Sequence, residues 1–400
     1  MGDWSKLQHD LLELIAQQHL TKLEDYVAFG AVCTSWRAAA AKRKNFKGLK
    51  LWQQIPCLML AESEDENDNH REFYSLIEKE IVAKISLPKL KGKKCYESLG
   101  WLLAVGQEGD MTLLNPFSDV EIPLPPGTTF PDDDWLNTDP EIFVEIFVLS
   151  ARPSETSDFV VMLVCGSVGY LAFWRQGDQN WTKIETHNAA YSAVNYHNGQ
   201  FYAIDCTGNL VACDVSGPNP TKARMITQLV RYSEESYRDQ HLRDYHSNLI
   251  VDFKHLYLVL ESSSSDKESL LVVTRDNYSH YADDDDQPNY GTTEFKLYEV
   301  DLSGGTWKEI HSLGNKAVFV GHSASTSLQV SSNKFSLPGI QPNHIYFTDD
   351  CWDAYKSIQE VTGGKDMGVY NLETGTIQPF YQGPRRLSNI SPSIWITPKF

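Results

Sequence analysis

No two cysteines in this chain are spaced as a metal-binding or redox pair. The seven, Cys33, Cys57, Cys95, Cys165, Cys206, Cys213 and Cys351, are odd in number, and no CxxC occurs. That argues against a zinc finger or a thioredoxin-like motif. The amino terminus lacks the basic, apolar and small-residue regions of a secretory signal, and no apolar run reaches membrane-spanning length. A cytoplasmic or nuclear protein with free thiols and no membrane partner is expected. Catalytic signatures are missing too. There is no His-Glu-x-x-His, no phosphate-binding Gly-x-x-x-x-Gly-Lys, no Gly-x-Ser-x-Gly and no dinucleotide fingerprint. Gly321-His322-Ser323-Ala324-Ser325 opens like a nucleophile elbow but lacks the closing glycine. The twelve histidines show no ligand spacing; His241 and His246, in a polar stretch, read as solvated. No catalytic residue, cofactor or metal is expected.

Positive charge is scarce. Lys and Arg number 35 against 53 Asp and Glu, a formal net charge of −18. Such a chain is repelled by phosphate backbones, so nucleic acid is excluded as a partner. Part of the excess sits in Glu62–Asp68, Asp132–Asp134 and Asp283–Asp286, which read as solvated loops. Asp283–Asp286 lacks the alternating spacing and the glycine of a calcium loop. What the chain does have is apolar content, 41%, with 12% aromatics. That supports a real core. At 400 residues it exceeds one core, and a small domain plus a large repetitive one is the natural division.

The first 45 residues read as helical. Leu7, Leu11, Leu14 and Ile15 fall at i, i+4, i+7 and i+8, an apolar stripe that Leu12 widens. Thr21-Lys22-Leu23-Glu24 has the form of a capping box. It would open a second helix carrying Leu23, Tyr26, Val27 and Gly30 on one side. A third helix follows Cys33 and runs through Trp36 and an alanine tract to about Lys44. Helices this short cannot bury their apolar faces alone. They could cap the edge of a larger domain, yet two faces need burial, one for self-packing and one for a partner. Cys33 reads as a small hydrophobe, with no His or Asp placed to activate it.

From about residue 50 the texture is β. Short apolar or alternating runs recur between Gly, Asn, Asp and Pro turns. One theme returns: a strand, a polar turn, and a second strand with an aromatic or aliphatic pair. It occurs at Met111–Leu124, Gly169–Ile184, Phe295–Ile310 and Met367–Phe380, with a fainter copy at Asn209–Asp214. Each copy suits the outer hairpin of a four-stranded unit. The strands ahead of it are visible as Tyr191–Tyr196 with Gln200–Ile204, Leu249–Asp252 with Leu256–Glu261, and Val318–His322 with His344–Thr348. Repeats too small for a core of their own imply a closed array. Units starting near residues 55, 97, 143, 190, 247 and 316 make about six blades, with five or seven open. Ser393–Pro398 is the candidate closing strand. Insertions near 125–142, 231–246, 262–293 and 331–343 are expected as loops.

Trp4, Leu7, Leu11-Leu12-x-x-Ile15, Leu20, Leu23, Phe29, Val32-Cys33 and Trp36-Arg37 together resemble an F-box. Gln8 departs from that pattern, which carries proline after the leucine. The body resembles the KIB-type β-propeller of many plant F-box proteins. The matching stretches are Leu113–Pro125, Ala317–Gly321, Gly368–Leu372 and Ile394–Ile396. The resemblance implies an α+β multidomain chain: a three-helix F-box over 1–46 and an all-β propeller over 47–400. It implies a non-catalytic substrate receptor of an SCF-type (Skp–cullin–F-box) ubiquitin ligase. The F-box would dock a Skp-type adaptor, and through it a cullin–RING ligase, by Leu7, Leu11, Leu12, Ile15, Leu20, Leu23, Val32, Cys33 and Trp36. The propeller would bind a target protein, with Trp135, Tyr232, Tyr237, Tyr245 and Tyr290 as candidate exposed contacts. A propeller enzyme or lectin with a helical cap, or an F-box scaffold that does not promote degradation, are the alternatives.

Overall fold

The computed structural model describes residues 4–398, apart from 21–22, 31, 42–54, 64, 66, 119, 132–142, 187–189, 218–219, 230–249, 261–268, 281–288, 333–334, 338, 352–363, 384–386 and 389. Six sheets follow one another around a ring, a six-bladed β-propeller. The apolar runs explain how. In Val160–Cys165 every residue is buried, yet the strand faces two ways. Val160, Met162 and Val164 pack towards blade four; Val161, Leu163 and Cys165 pack towards blade two. Successive side chains of a strand point to opposite faces, and a blade is covered on both. One apolar core therefore lies between each pair of neighbouring blades, six in all among the described residues.

Blades two to four are four-stranded antiparallel sheets, opening at Lys94–Ser98, Val144–Leu149 and Tyr191–His197. These starts, with Ile250 and Lys316 for blades five and six, fall where the repeat pattern puts them. Blade one holds Cys57–Met59, His70–Ser75 and Glu80–Ser86, and takes its innermost strand, Ile394–Ile396, from the carboxyl-terminal region. Leu58 lies opposite Trp395 in that antiparallel pair, as the expected closing strand requires. Successive innermost strands touch from Ile394–Ile396 through blades two, three, four and five to blade six.

Two blades depart from the sequence reading. In blade five, the strands expected at 249–252 and 256–261 are one strand, Ile250–Leu260. It pairs along its length with Ser269–His280, which pairs in turn with Asn289–Asp301. Much of the expected 262–293 loop is thus sheet. Phe253, Lys254 and His255, left between the two expected strands, each have a ladder partner; His255 lies opposite Arg275. In blade six, Lys316–Val320 and His344–Phe347 pair as expected but run parallel. An additional strand, Thr326–Gln329, occupies the innermost place. Parallel pairing needs a crossover, and the connection from Val330 to Asn343, with its short hairpin Ser331–Ser332 and Phe335–Ser336, supplies it.

The link between those two inner strands crosses the axis. Gly321 starts it at φ +147°, with Thr348 Oγ1 only 2.0 Å from where a Cβ would stand, so no other residue fits. Ser323 Oγ then donates to Trp395 O of blade one at 2.6 Å. The Ala324 amide donates to Glu97 O of blade two at 2.8 Å. Asn195 Nδ2 of blade four donates to Ser325 O at 3.1 Å and to Leu258 O of blade five at 2.8 Å. The innermost strands are thus laced together by backbone that fills the axial opening.

Ahead of the propeller stand three helices: α1 (His9–His19), α2 (Leu23–Gly30) and α3 (Thr34–Ala41). Their own small core is Leu12, Ala16, Leu20, Phe29 and Ala39, with Leu7, Ile15 and Trp36 against it. The Phe29 and Trp36 rings pack at 4.4 Å with their planes tilted by 44°, and Trp36 Nε1 donates to Trp4 O at 3.1 Å. The α2 helix touches the outer strand Glu80–Ser86 of blade one. The capping box at Thr21, the tail of the third helix to Lys44 and the boundary at 46/47 lie outside the described residues.

Candidate functional site

The α1 helix separates its leucines by face. Leu12, Ala16 and Leu20, four residues apart, point into the small core; Leu12 is fully buried. Leu11 and Leu14, three apart, leave 49% and 50% of their surface in water. Leu7 continues their line one turn earlier and is half-buried. Val32, at the turn into α3, is 50% exposed, and Trp4 lies open as well. Among the nine residues expected to dock a partner, Leu12 and Leu20 are corrected. Their side chains hold the helices together and are closed to a partner. Leu11 and Val32 are open; Leu7, Ile15, Cys33 and Trp36 are half-buried at the edge of the core. Leu14, read from the sequence only as part of a stripe, belongs with the open residues. Nothing is described of the Leu23 side chain.

A second surface lies on the propeller, between blades one and six. It is an open groove of about 610 Å³ whose floor is aromatic. Tyr74 and Tyr381 meet edge to face at 4.9 Å, and the Tyr74 hydroxyl donates to Phe380 O at 3.3 Å. Tyr346 OH accepts the Gln341 amide at 2.9 Å. Burial raises the pKa of both phenols, which stay protonated. Lys79 and Glu80 stand at one rim, and the amides and hydroxyls of Asn371, Thr376 and Gln378 line the rest. Gly339, at φ +78°, lets the blade-six crossover approach Leu76 O, which a Cβ would meet at 2.9 Å. The same blade-one edge that borders the groove touches α2.

The candidate target contacts fare differently. Trp135, Tyr232, Tyr237 and Tyr245 lie outside the described residues. Tyr290 was expected exposed and is 5% exposed, its hydroxyl donating to Asp349 Oδ2. It belongs to the interior because residues 289–301 are strand rather than loop. In the elbow-like stretch, Ser323 is buried and gives its hydroxyl hydrogen to a carbonyl. Asp68, in the first acidic patch, accepts the His70 amide at 3.0 Å and Lys84 Nζ at 3.1 Å, which hold its carboxyl well below the ordinary range.

Fold and surfaces together define a six-bladed β-propeller carrying a helical unit with an unpartnered apolar face. The KIB1-4 β-propeller family matches residues 73–371, and the chain belongs to it. Along nearly its whole length it is similar to plant F-box proteins. It is 24% identical to F-box protein SKIP23 of Arabidopsis thaliana, over 99% of this chain and 96% of that one. Two putative F-box proteins of the same plant, At5g55150 and At3g25750, are 23% and 22% identical. The matches span 99% and 94% of this chain and 97% and 93% of theirs.

Proposed function

We propose that the chain is the substrate-receptor subunit of an SCF-type ubiquitin ligase acting in the cytoplasm or nucleus. Residues 1–46 are its F-box and 47–400 its target-binding propeller. The open residues Leu11, Leu14 and Val32 dock a Skp-type adaptor, with Leu7, Ile15, Leu23, Cys33 and Trp36 at the margin of the contact. A target protein lies in the groove between blades one and six, beside the blade edge that α2 touches. The receptor performs no chemistry of its own; holding the target near the ubiquitin-charged enzyme raises the local concentration of its lysines.

The observation that carries this reading is the division of α1 into an inward row, Leu12, Ala16 and Leu20, and an outward row, Leu11 and Leu14. Among the described residues this outward leucine pair, like the exposed Val32, takes no part in the small helical core. The test is capture of a Skp-type adaptor by the full chain. Leu11→Asp with Leu14→Asp should abolish capture and leave the thermal melt of the propeller in place. Capture equal to wild type by a folded double variant would sink the reading. Leu12→Asp should lose capture through collapse of the helical core instead, seen as lost helical circular dichroism.

A further inference from the structure

Blade five presents a buried polar hub where the chain leaves strand His344–Phe347. The guanidinium of Arg275 is wholly buried, stacked over Phe347 at 4.7 Å. It donates to Asp350 Oδ1, to Asp366 Oδ2 at 2.7 Å, to Thr348 O at 3.0 Å and to Thr292 Oγ1 at 2.7 Å. Asp349, beside them, accepts three successive amides from Gly364, Lys365 and Asp366, at 2.7, 2.9 and 3.2 Å. One guanidinium thus stands among three carboxylates, two of them, Asp349 and Asp350, buried. Buried charge without a counter-charge is costly, and the hub's excess is negative.

On the flank of this hub three donor atoms of different kinds converge. A ring nitrogen of His255, a carboxylate oxygen of Asp350 and Sγ of Cys351 all lie within 4.8 Å of one another. Two of the three are braced from behind. Tyr257 OH donates to Asp350 Oδ2 at 2.8 Å. Asn277 Nδ2 donates to Cys351 Sγ at 2.9 Å, and the Cys351 thiol in turn donates to Asp366 Oδ2 at 3.7 Å, a hydrogen that metal binding would displace. Asn277 is itself buried, and its Oδ1 has no partner among the described residues. His255 is half-buried. Such outer support is what orients ligands at metal sites.

The geometry points to a zinc ion held by His255, Asp350 and Cys351. Nitrogen, oxygen and sulfur in one set select zinc over calcium or magnesium, which take oxygen alone. Ligand bonds of about 2.0–2.3 Å require the three atoms to draw together by about 1 Å. The ion would balance the carboxylate excess and tie Asp350-Cys351 to the innermost strand of blade five. This inference is independent of adaptor docking.

The experiment uses the full chain, stripped with a chelator and dialysed, then titrated with Co²⁺ as a spectroscopic stand-in. One equivalent should bind with a thiolate-to-cobalt charge-transfer band that Zn²⁺ removes. Cys351→Ser should lose the band, whereas Cys206→Ser, in blade four, should keep it. His255→Gln should keep the fold by thermal melt and weaken Co²⁺ binding at least about tenfold. The inference is overturned if the folded wild type gives no band, if the band survives Cys351→Ser, or if folded His255→Gln binds Co²⁺ as wild type does. Should Cys351→Ser not fold, His255→Gln decides.

Discussion

At the scale of single residues, Gln8 stands where the F-box pattern that the helices resemble carries proline, and its backbone shows what a proline there would meet. It caps α1 at φ −61° and ψ 141°, its carbonyl accepting the amides of Leu11 and Leu12, with no side-chain cap. Proline would fix the same φ. Gln8→Pro should therefore stabilise the helix start by about 0.4–1 kcal/mol through the unfolded state. Adaptor capture should strengthen by about two- to fivefold, measured by titration of the adaptor; weaker capture would show that the Gln8 side chain or amide serves the contact. His322 offers a second residue-scale prediction. Its Nε2 is shielded and unpartnered. Burial first, then Lys94, His255 and Arg275, lower its pKa to about 3, against the opposing pull of Asp350. The folded chain therefore refuses a proton that the unfolded chain accepts below about pH 6.5. Its contribution to stability is whole above that pH and declines as pH falls from there towards 3. Between pH 7 and 5, His322→Gln should lose less stability than wild type in denaturant titrations. Parallel pH curves would exclude the mechanism.

At the scale of elements, the closing strand Ile394–Ile396 is the piece on which the ring depends. Trp395 packs edge-on to Phe319 at 5.2 Å and against Phe380 at 5.0 Å, and its Nε1 donates to Val320 O at 3.1 Å. Its carbonyl accepts Ser323, so it also anchors the axial link. Trp395→Ala should cost about 3–5 kcal/mol in chemical denaturation. A loss below about 1 kcal/mol would mean that the ring closes without it. The strand's place was readable in the sequence because a ring needs its last strand to join its first sheet, and Ile394-Trp395-Ile396 is an apolar run late in the chain. Blade six was not fully readable. Ala317–Val320 has the pattern of a strand, but nothing local says whether its neighbour runs parallel or antiparallel. The inner place of Thr326–Gln329 is equally silent, since three of its four residues are polar and none is fully buried. In blade five, ladder pairing held one long strand where two were expected.

At the scale of the whole molecule, the helices and the propeller keep separate cores. Among the described residues the helical core ends at Ala39, and α2 touches the outer strand of blade one. A chain lacking residues 1–41 should therefore retain the propeller's thermal transition within about 2 °C, while losing adaptor capture. A collapse of that transition would show one cooperative unit instead of two. Under the proposed function, separate cores would let each end bind without deforming the other.

Periodicity is local, and what depends on it was settled by the sequence alone: blades starting near residues 97, 143, 190, 247 and 316, and an apolar closing strand. A period of two over short runs dictates strands, and runs apolar on both faces dictate blades buried between blades. The tertiary structure decided what depends on distant partners. Leu11 and Leu12 are neighbours of one chemistry, and only the packing of Leu12 on Ala16, Leu20 and Phe29 sends one inward and leaves the other in water. Tyr290 has the composition of a loop contact and becomes interior because its strand pairs in blade five. His255, Asp350 and Cys351 carry no spacing signal, because blades five and six bring them together through ladders that no short stretch of sequence encodes.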